Sequence, residues 1–94
     1  MAKKATPEYI KVGDGFVDVT LSRPVSVSGA KLAVLRMREP LVRDQKAVNK
    51  MDGDNADKES TLFANLCDIA PSDMDELPMK DYARLSEAYT SFMS

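Results

Sequence analysis

The feature that most constrains the fold is a change of apolar periodicity at Pro40. Before this proline, apolar and polar residues alternate as they do in a strand with one buried face, whereas after it the apolar residues recur at helical spacing. Proline is favoured at the first position of a helix, where no backbone N–H is needed, and we expect Glu39 to cap that helix. The sequence therefore predicts a β-structured half followed by a helical half, which is the α+β class.

Two strands are predicted before the proline switch. The first covers residues 16–21 and ends before Pro24, because proline cannot donate a hydrogen bond to a sheet ladder. The second covers residues 32–37 and follows a loop at residues 25–31 around Ser28 and Gly29, so that the two strands form an antiparallel hairpin. The alternative is that Val25 and Val27 extend a strand edge. The residues expected on the core-facing side are Val17, Val19, Leu21, Ala33, Leu35 and Met37. Arg36 and Arg38 are expected on the outer face, across from Asp18.

Three helices are predicted after the switch, over residues 40–51, 58–68 and 78–92. Asp54 or Asp57 is expected to cap the second helix, and Pro71 is expected to end it. Residues 72–75 resemble a capping box for a short helical turn. The apolar residues expected to face the core are Leu41, Ala47, Val48, Met51, Leu62, Phe63, Leu66, Ile69, Tyr82 and Leu85.

The length of 94 residues fits one domain with a modest core. We expect residues 1–11 to form a flexible tail and residues 12–94 to form a single small α+β domain, in which an N-terminal antiparallel β-hairpin packs against about three helices. A two-stranded hairpin is only marginally stable alone in water, so the helices must cover its apolar face.

The composition argues against an enzyme. The chain has no histidine and only one cysteine, Cys67, so it lacks the usual residue for proton transfer near neutral pH and cannot form an internal disulfide. The aspartate-rich loop at residues 52–57 does not fit a calcium loop, because Asp57 and Phe63 stand where glycine and glutamate are required. We therefore expect no catalytic residue, no cofactor and no metal site. No apolar run is long enough to cross a bilayer and the N-terminus does not resemble a secretory signal, which indicates a cytoplasmic protein.

Charge is distributed unevenly along the chain. Residues 1–50 carry ten Lys/Arg and five Asp/Glu, whereas residues 51–94 carry three Lys/Arg and ten Asp/Glu. This division either covers two solvated faces or steers a partner, or a second copy of the chain, through opposite fields.

Two groups of residues are candidate partner-binding surfaces. The first is basic and consists of Arg36, Arg38 and Arg43, with Lys46 and Lys50 nearby. The second is apolar and consists of Tyr89, Phe92 and Met93. No aromatic residue is interleaved with the basic group to stack bases, so we favour a solvated or protein-docking face over contact with nucleic acid. The apolar group either completes the core or anchors a partner, since these residue types are favoured at interfaces.

Three motifs resemble, in their order and spacing, the tail assembly chaperones of Mu-like and P2-like contractile-tailed phages. The motifs are Leu35-Arg36-Met37-Arg38-Glu39-Pro40 with Asp44 after it, residues 62–77, and Asp81-Tyr82-Ala83-Arg84-Leu85 with its continuation to Phe92. The similarity covers residues 15–93. The sequence departs from the family pattern at Pro78 and in the loop at residues 51–57, which concerns the helix boundaries more than the function.

The resemblance implies a non-enzymatic assembly factor of a phage or prophage, acting in the bacterial host cytoplasm and absent from the mature virion. Its expected partner is the tape measure protein, which family members are thought to bind and shield before tail tube subunits polymerise around it. The tail tube protein, a frameshifted longer form of the same chain and further copies of the chain are additional expected partners. The alternative that the residues leave open is a small phage-encoded nucleic-acid-binding regulator that uses the arginines.

Overall fold

A computed structural model describes residues 7–93 and shows a three-stranded sheet followed by four helices. The elements are β1 (Ile10–Val12), β2 (Phe16–Val27), β3 (Ala30–Arg38), α1 (Val42–Asn49), α2 (Asn55–Cys67), α3 (Pro71–Met74) and α4 (Met79–Ser91). The strands lie in the order β1-β2-β3, and both neighbouring pairs are antiparallel. The α+β class predicted from the sequence is confirmed, although the sheet has one strand more than the expected hairpin.

The additional strand, β1, lies at the end of the segment that we expected to be a flexible tail. Ile10 pairs with Val19 of β2 and its side chain is buried. The expectation of a flexible tail at residues 1–11 is therefore corrected at its C-terminal end, and residues 1–6 lie outside the described part of the chain. A strand of three residues is too short to show a recognisable alternation, and its pairing with a longer strand is what stabilises it.

The hydrogen-bond ladder between β2 and β3 is interrupted at residues 21–24, where four residues of β2 lie opposite the single residue Ala33 of β3. Residues 21–24 are called the β2 bulge below. Pro24 lies inside this bulge, where no ladder donor is required, so the strand passes through the proline and continues to Val27. The prediction that Pro24 ends the strand was therefore wrong. The same interruption breaks the alternation of β3, and Ala33 is exposed instead of facing the core.

A two-residue turn joins β2 to β3. Ser28 and Gly29 both have positive φ angles, 51° and 83°. This combination is typical of a type I′ turn, whose twist matches that of the flanking strands. The loop predicted here is consequently shorter than expected, and Val25 and Val27 before it are buried strand residues.

The start of α1 differs from the prediction. Leu41 is the N-cap, so Pro40 precedes the helix instead of occupying its first position. The cap interaction comes from Asp44, whose carboxylate accepts the backbone N–H of Leu41 at 2.8 Å, and not from Glu39. The side chain of Arg38 binds the same carboxylate, so a tertiary contact helps to fix where the helix begins.

The apolar face of α1 is also smaller than predicted. Val48 is buried, but Leu41 and Ala47 are exposed, and the helix ends at Asn49 before Met51. A helix of eight residues buries few positions, and one of those in α1 is occupied by the ion-paired Asp44.

The second helix begins at Asn55, three residues before the predicted start, whereas its predicted cap and apolar stripe are confirmed. Asp54 caps α2 by accepting the backbone N–H of Asp57 at 2.9 Å. The helix ends at Cys67 because Asp68 adopts a left-handed conformation with φ of 57°, so Pro71 is not what stops it. The predicted apolar stripe is buried and consists of Leu62, Phe63, Leu66 and Ile69.

The two prolines of the C-terminal half begin helices. Pro71 is the first residue of α3, which has Ala70 as its N-cap, so the capping box expected at residues 72–75 does not start this helix. Pro78 is the N-cap of α4, one position before the place predicted for it. In both cases the fixed φ of proline and its missing N–H suit a helix start.

The core lies between one face of the sheet and two helices, with α4 packed on β2 and α2 packed on β3. Its largest fully buried side chains include Phe63, Leu35, Met37, Leu66 and Leu85. The helices therefore cover the apolar face of the strands, as the instability of an isolated hairpin requires. Within residues 7–93, no helix is long and apolar enough to cross a bilayer.

Candidate functional site

Arg36 lies on the outer face of β3, directly opposite Asp18 of β2. Its guanidinium donates two hydrogen bonds to the Asp18 carboxylate, at 2.8 and 3.0 Å, and lies 3.8 Å from the centre of the Phe16 ring. The hydrogen bonds from Arg36 hold the pKa of Asp18 below its ordinary value. The charge of Arg36 is thus matched within the sheet by a bidentate ion pair.

Arg38 connects the end of β3 to the start of α1. Its guanidinium donates to both carboxylate oxygens of Asp44, at 2.8 and 2.7 Å. The hydrogen bonds from Arg38, supported by the backbone N–H of Leu41, lower the pKa of Asp44 to about 2. Asp44 is 8% exposed, so this pair joins two elements at the edge of the core.

The three predicted arginines do not form a free basic array. Arg36 and Arg38 each face a carboxylate, whereas Arg43 is exposed on α1. A phosphate-binding face depends on cations that can exchange their counterions for phosphates, and two of these three are already paired. The arrangement favours a structural role for Arg36 and Arg38 over direct contact with nucleic acid.

The predicted apolar group at the end of α4 is divided between the core and the surface. Tyr89 is half-buried, with its ring centre 5.2 Å from that of Phe63. Phe92 is half-buried against the core cluster, and Met93 is 59% exposed. Tyr89 and Phe92 therefore contribute to packing, and Met93 is the member of this group that is available at the surface.

The arginines and the C-terminal residues border different hollows. Arg36 and Arg38 border a hollow along β3 and the end of α2, together with Val34 and Leu66. Tyr89 borders a smaller, mostly polar hollow among α1, α2 and α4. The structure thus does not unite the two predicted groups into one site. Val34 is 44% exposed on β3, whose other side has no strand neighbour in the described sheet.

A third hollow, called the Met79 groove below, was not predicted from the sequence. It has a volume of about 350 Å³ and lies between the N-terminal half of α2, α3 and the start of α4. Its apolar lining consists of Ala56, Met74, Leu77, Met79 and Tyr82. Its rim carries the carboxylates of Asp57, Glu59 and Asp75, and Ser60 completes it.

The base of the Met79 groove is fixed, whereas its edge is open. Met74 and Leu77 are buried in the core, but Met79 is 81% exposed. The hydroxyl of Tyr82 donates to Glu59 at 2.7 Å, and burial together with this hydrogen bond raises the pKa of Tyr82. The sequence shows a methionine close after an acidic segment, but Met79 precedes Tyr82 by three residues, and periodicity therefore places both on one apolar stripe.

The described residues show no arrangement typical of a metal site or of a reactive thiol. Across residues 7–93, no group of three or more His, Cys, Asp or Glu side chains is arranged to hold a metal ion. Burial raises the pKa of the Cys67 thiol to about 12, which disfavours the thiolate that a nucleophile requires.

Comparison with known proteins identifies one family. The family model described as "Phage tail assembly chaperone proteins, E, or 41 or 14" matches residues 18–94. No curated protein and no solved structure matches the chain significantly. The matched segment includes β3, all four helices and the Met79 groove.

Proposed function

We propose, since this chain belongs to the phage tail assembly chaperone family, that it binds the tape measure protein and shields it during tail morphogenesis. The observation that supports this proposal is the family match over residues 18–94, which covers most of the domain. The family expected from the sequence is confirmed by that match, and the narrower link to Mu-like and P2-like phages stays a prediction.

The surface of the domain suits a chaperone that acts without catalysis. Several large apolar side chains are strongly exposed, and the most exposed of them are Val12, Val42, Met79 and Met93. Exposed apolar groups can cover apolar stretches of an unassembled chain, and methionine adapts its shape to different neighbours. Many weakly bound copies could together hold one long chain, because contacts that act in parallel give a total affinity above that of each single contact.

The proposal places the protein in the host cytoplasm, where the tail is built. Its further partners are the tail tube protein and a frameshifted longer form of the same chain. A long tape measure chain with apolar helical faces would aggregate if it were left bare, and its release would accompany polymerisation of the tube. In this sequence of events the chaperone supplies binding energy and no chemistry.

Co-expression tests the proposal directly. The cognate tape measure protein is produced in bacteria alone, with the wild-type chain, and with the Leu35→Asp variant, whose charge falls in the core. We expect the wild-type chain to raise the soluble fraction of the tape measure protein and to copurify with it, and the core variant to do neither. Equal solubility in all three cultures would refute the proposed function.

A further inference from the structure

We propose that the Met79 groove is the docking site for an amphipathic helical segment of the partner, one whose apolar face is flanked by lysine or arginine. The inference deepens the proposed function and rests on it, because a chaperone must hold another polypeptide somewhere on its surface. Three features of the groove favour such a partner, namely its apolar lining, the charge of its rim and the helical backbone around it.

The apolar lining provides a fixed base and an adaptable edge. Met74 is 3% exposed and Leu77 is 9% exposed, so both are held by the core beneath the groove. Met79, at 81% exposure, stands beside them with nearly its whole side chain in water. A partner that covers this methionine and the neighbouring apolar surface would remove them from water, and the free energy of binding would gain from that burial without any rearrangement of the domain.

The rim selects the charge of the partner. Asp57, Glu59 and Asp75 border the groove, and none of the described residues that line it is lysine or arginine. The C-terminal half around it carries ten Asp/Glu against three Lys/Arg over residues 51–94. An uncharged apolar partner would remove water from these carboxylates without replacing it, whereas flanking lysine or arginine would pair with them.

The surrounding backbone selects the conformation of the partner. The groove is lined by residues of α2, α3, α4 and the short connection before α4, and no strand contributes to it. An extended partner would find no strand edge to pair with and would leave its own backbone groups unsatisfied in the contact. A helix satisfies its own backbone and presents side chains alone, which is the helix-in-groove mode of recognition.

A labelled model peptide tests the site without the natural partner. The probe is a fluorescein-labelled 18-residue peptide of leucine and lysine at helical spacing, and its counterpart carries glutamate in place of lysine. We expect fluorescence anisotropy to show saturable binding of the lysine peptide to the wild-type domain and none of the glutamate peptide. Met79→Ser and Asp75→Lys should each weaken binding by roughly tenfold, through lost apolar burial and through charge repulsion.

Two variants serve as matched controls. Leu41→Ser removes an exposed apolar side chain outside the groove, and Asp14→Lys reverses an exposed carboxylate in the turn between β1 and β2. Both should bind the lysine peptide with the wild-type Kd. If the controls weaken binding as much as the groove variants do, the peptide senses diffuse negative charge and the assigned site is wrong.

A second copy of the chain is the competing occupant, because α1 exposes Val42 beside Arg43 and Lys46. Sedimentation of the wild-type domain and of Met79→Ser distinguishes this case. Concentration-dependent association that the substitution abolishes would assign the groove to self-association and overturn the proposal. Monomeric behaviour of both, with the peptide result above, supports the foreign helix.

The co-expression assay separates failure of the site from failure of the function. If the wild-type chain keeps the tape measure protein soluble and Met79→Ser and Asp75→Lys do so equally well, the groove is not the docking site, although the proposed function stands. If the wild-type chain has no effect, the proposed function fails, and the peptide titration still decides whether the groove binds basic helices. Both substituted residues are exposed, so a thermal melt should show the variants folded.

Discussion

Asp81 connects α4 to the β2 bulge, and its substitution gives the sharpest test of the fold. The residue is fully buried in the first turn of α4. One carboxylate oxygen accepts the backbone N–H of Ser22 at 2.8 Å, and the other accepts the Ser22 hydroxyl at 3.0 Å. From the same helix, Arg84 donates to the carbonyl oxygen of Thr20 at 2.8 Å. We predict that Asp81→Ala destabilises the domain strongly although it removes no apolar contact.

The magnitude follows from the two hydrogen bonds. A hydrogen bond to a charged group contributes about 1.5–3 kcal/mol, and the Ser22 backbone N–H loses its acceptor when the carboxylate is removed. The Ser22 side chain lies at the exposed surface, so water can replace the second bond at smaller cost. The expected loss in the free energy of unfolding is about 3 kcal/mol. For a domain of this size, that corresponds to a fall in Tm of roughly 12–24 °C.

Urea unfolding followed by far-UV circular dichroism measures the effect. Ser22→Ala keeps the backbone bond and should lose only about 1 kcal/mol. Asp75→Ala removes an exposed carboxylate and should remain within about 0.5 kcal/mol of the wild type. A loss of less than about 1 kcal/mol for Asp81→Ala would refute the reasoning, because the bulge would then be stable without its partner on α4.

Three further predictions concern the core, the helix start and the thiol. Leu35→Asp should abolish cooperative unfolding, since it buries an unpaired charge, and Leu35→Ala should cost about 2–5 kcal/mol but still fold; a Leu35→Asp variant with the wild-type Tm would contradict this. The hydrogen bonds from Arg38 lower the pKa of Asp44 to about 2. This ion pair stabilises the fold fully at pH values above the ordinary pKa near 3.8, and the stabilisation is lost as the pH falls through 2. Because Arg38 is 43% exposed, solvent screening reduces this contribution to about 1–2 kcal/mol. Between pH 6 and pH 2.5, Asp44→Asn should lose less unfolding free energy than the wild type does, and an identical loss in both would exclude the ion pair as its source. Cys67, buried with a thiol pKa of about 12, should resist a disulfide reagent at pH 8 until urea unfolds the domain, and rapid labelling of the native protein would show the burial to be wrong.

The sequence predicted the elements whose signals are local. The alternation around Val17 and Val19 and the helical stripe through Leu62 and Leu66 each specify a face without reference to the rest of the chain. The Asp54 cap was predictable for the same reason, because a side-chain acceptor and the N–H that it binds are three residues apart.

The predictions that were wrong concern features that depend on residues far away in the sequence. β1 is stable because β2 is beside it, and the chain passes through Pro24 because the bulge needs no ladder donor there. The candidate surfaces changed for the same reason. The strand register confirms the predicted placement of Asp18 opposite the outer-face arginines for Arg36, whereas the pairing of Arg38 with Asp44 depends on the turn into α1 and was not predicted.

By itself, the sequence determined the α+β class, most of the apolar positions and the family, since these depend on periodicity and on the order of short motifs. The tertiary structure alone decided that Asp81 would be buried beneath a bulge and that Met79 would stand in water beside three carboxylates. Whether a residue is buried depends on which other elements cover it. Periodicity in the sequence identifies the apolar stripe of a helix, but it does not show which end of that stripe extends beyond the elements packed on it.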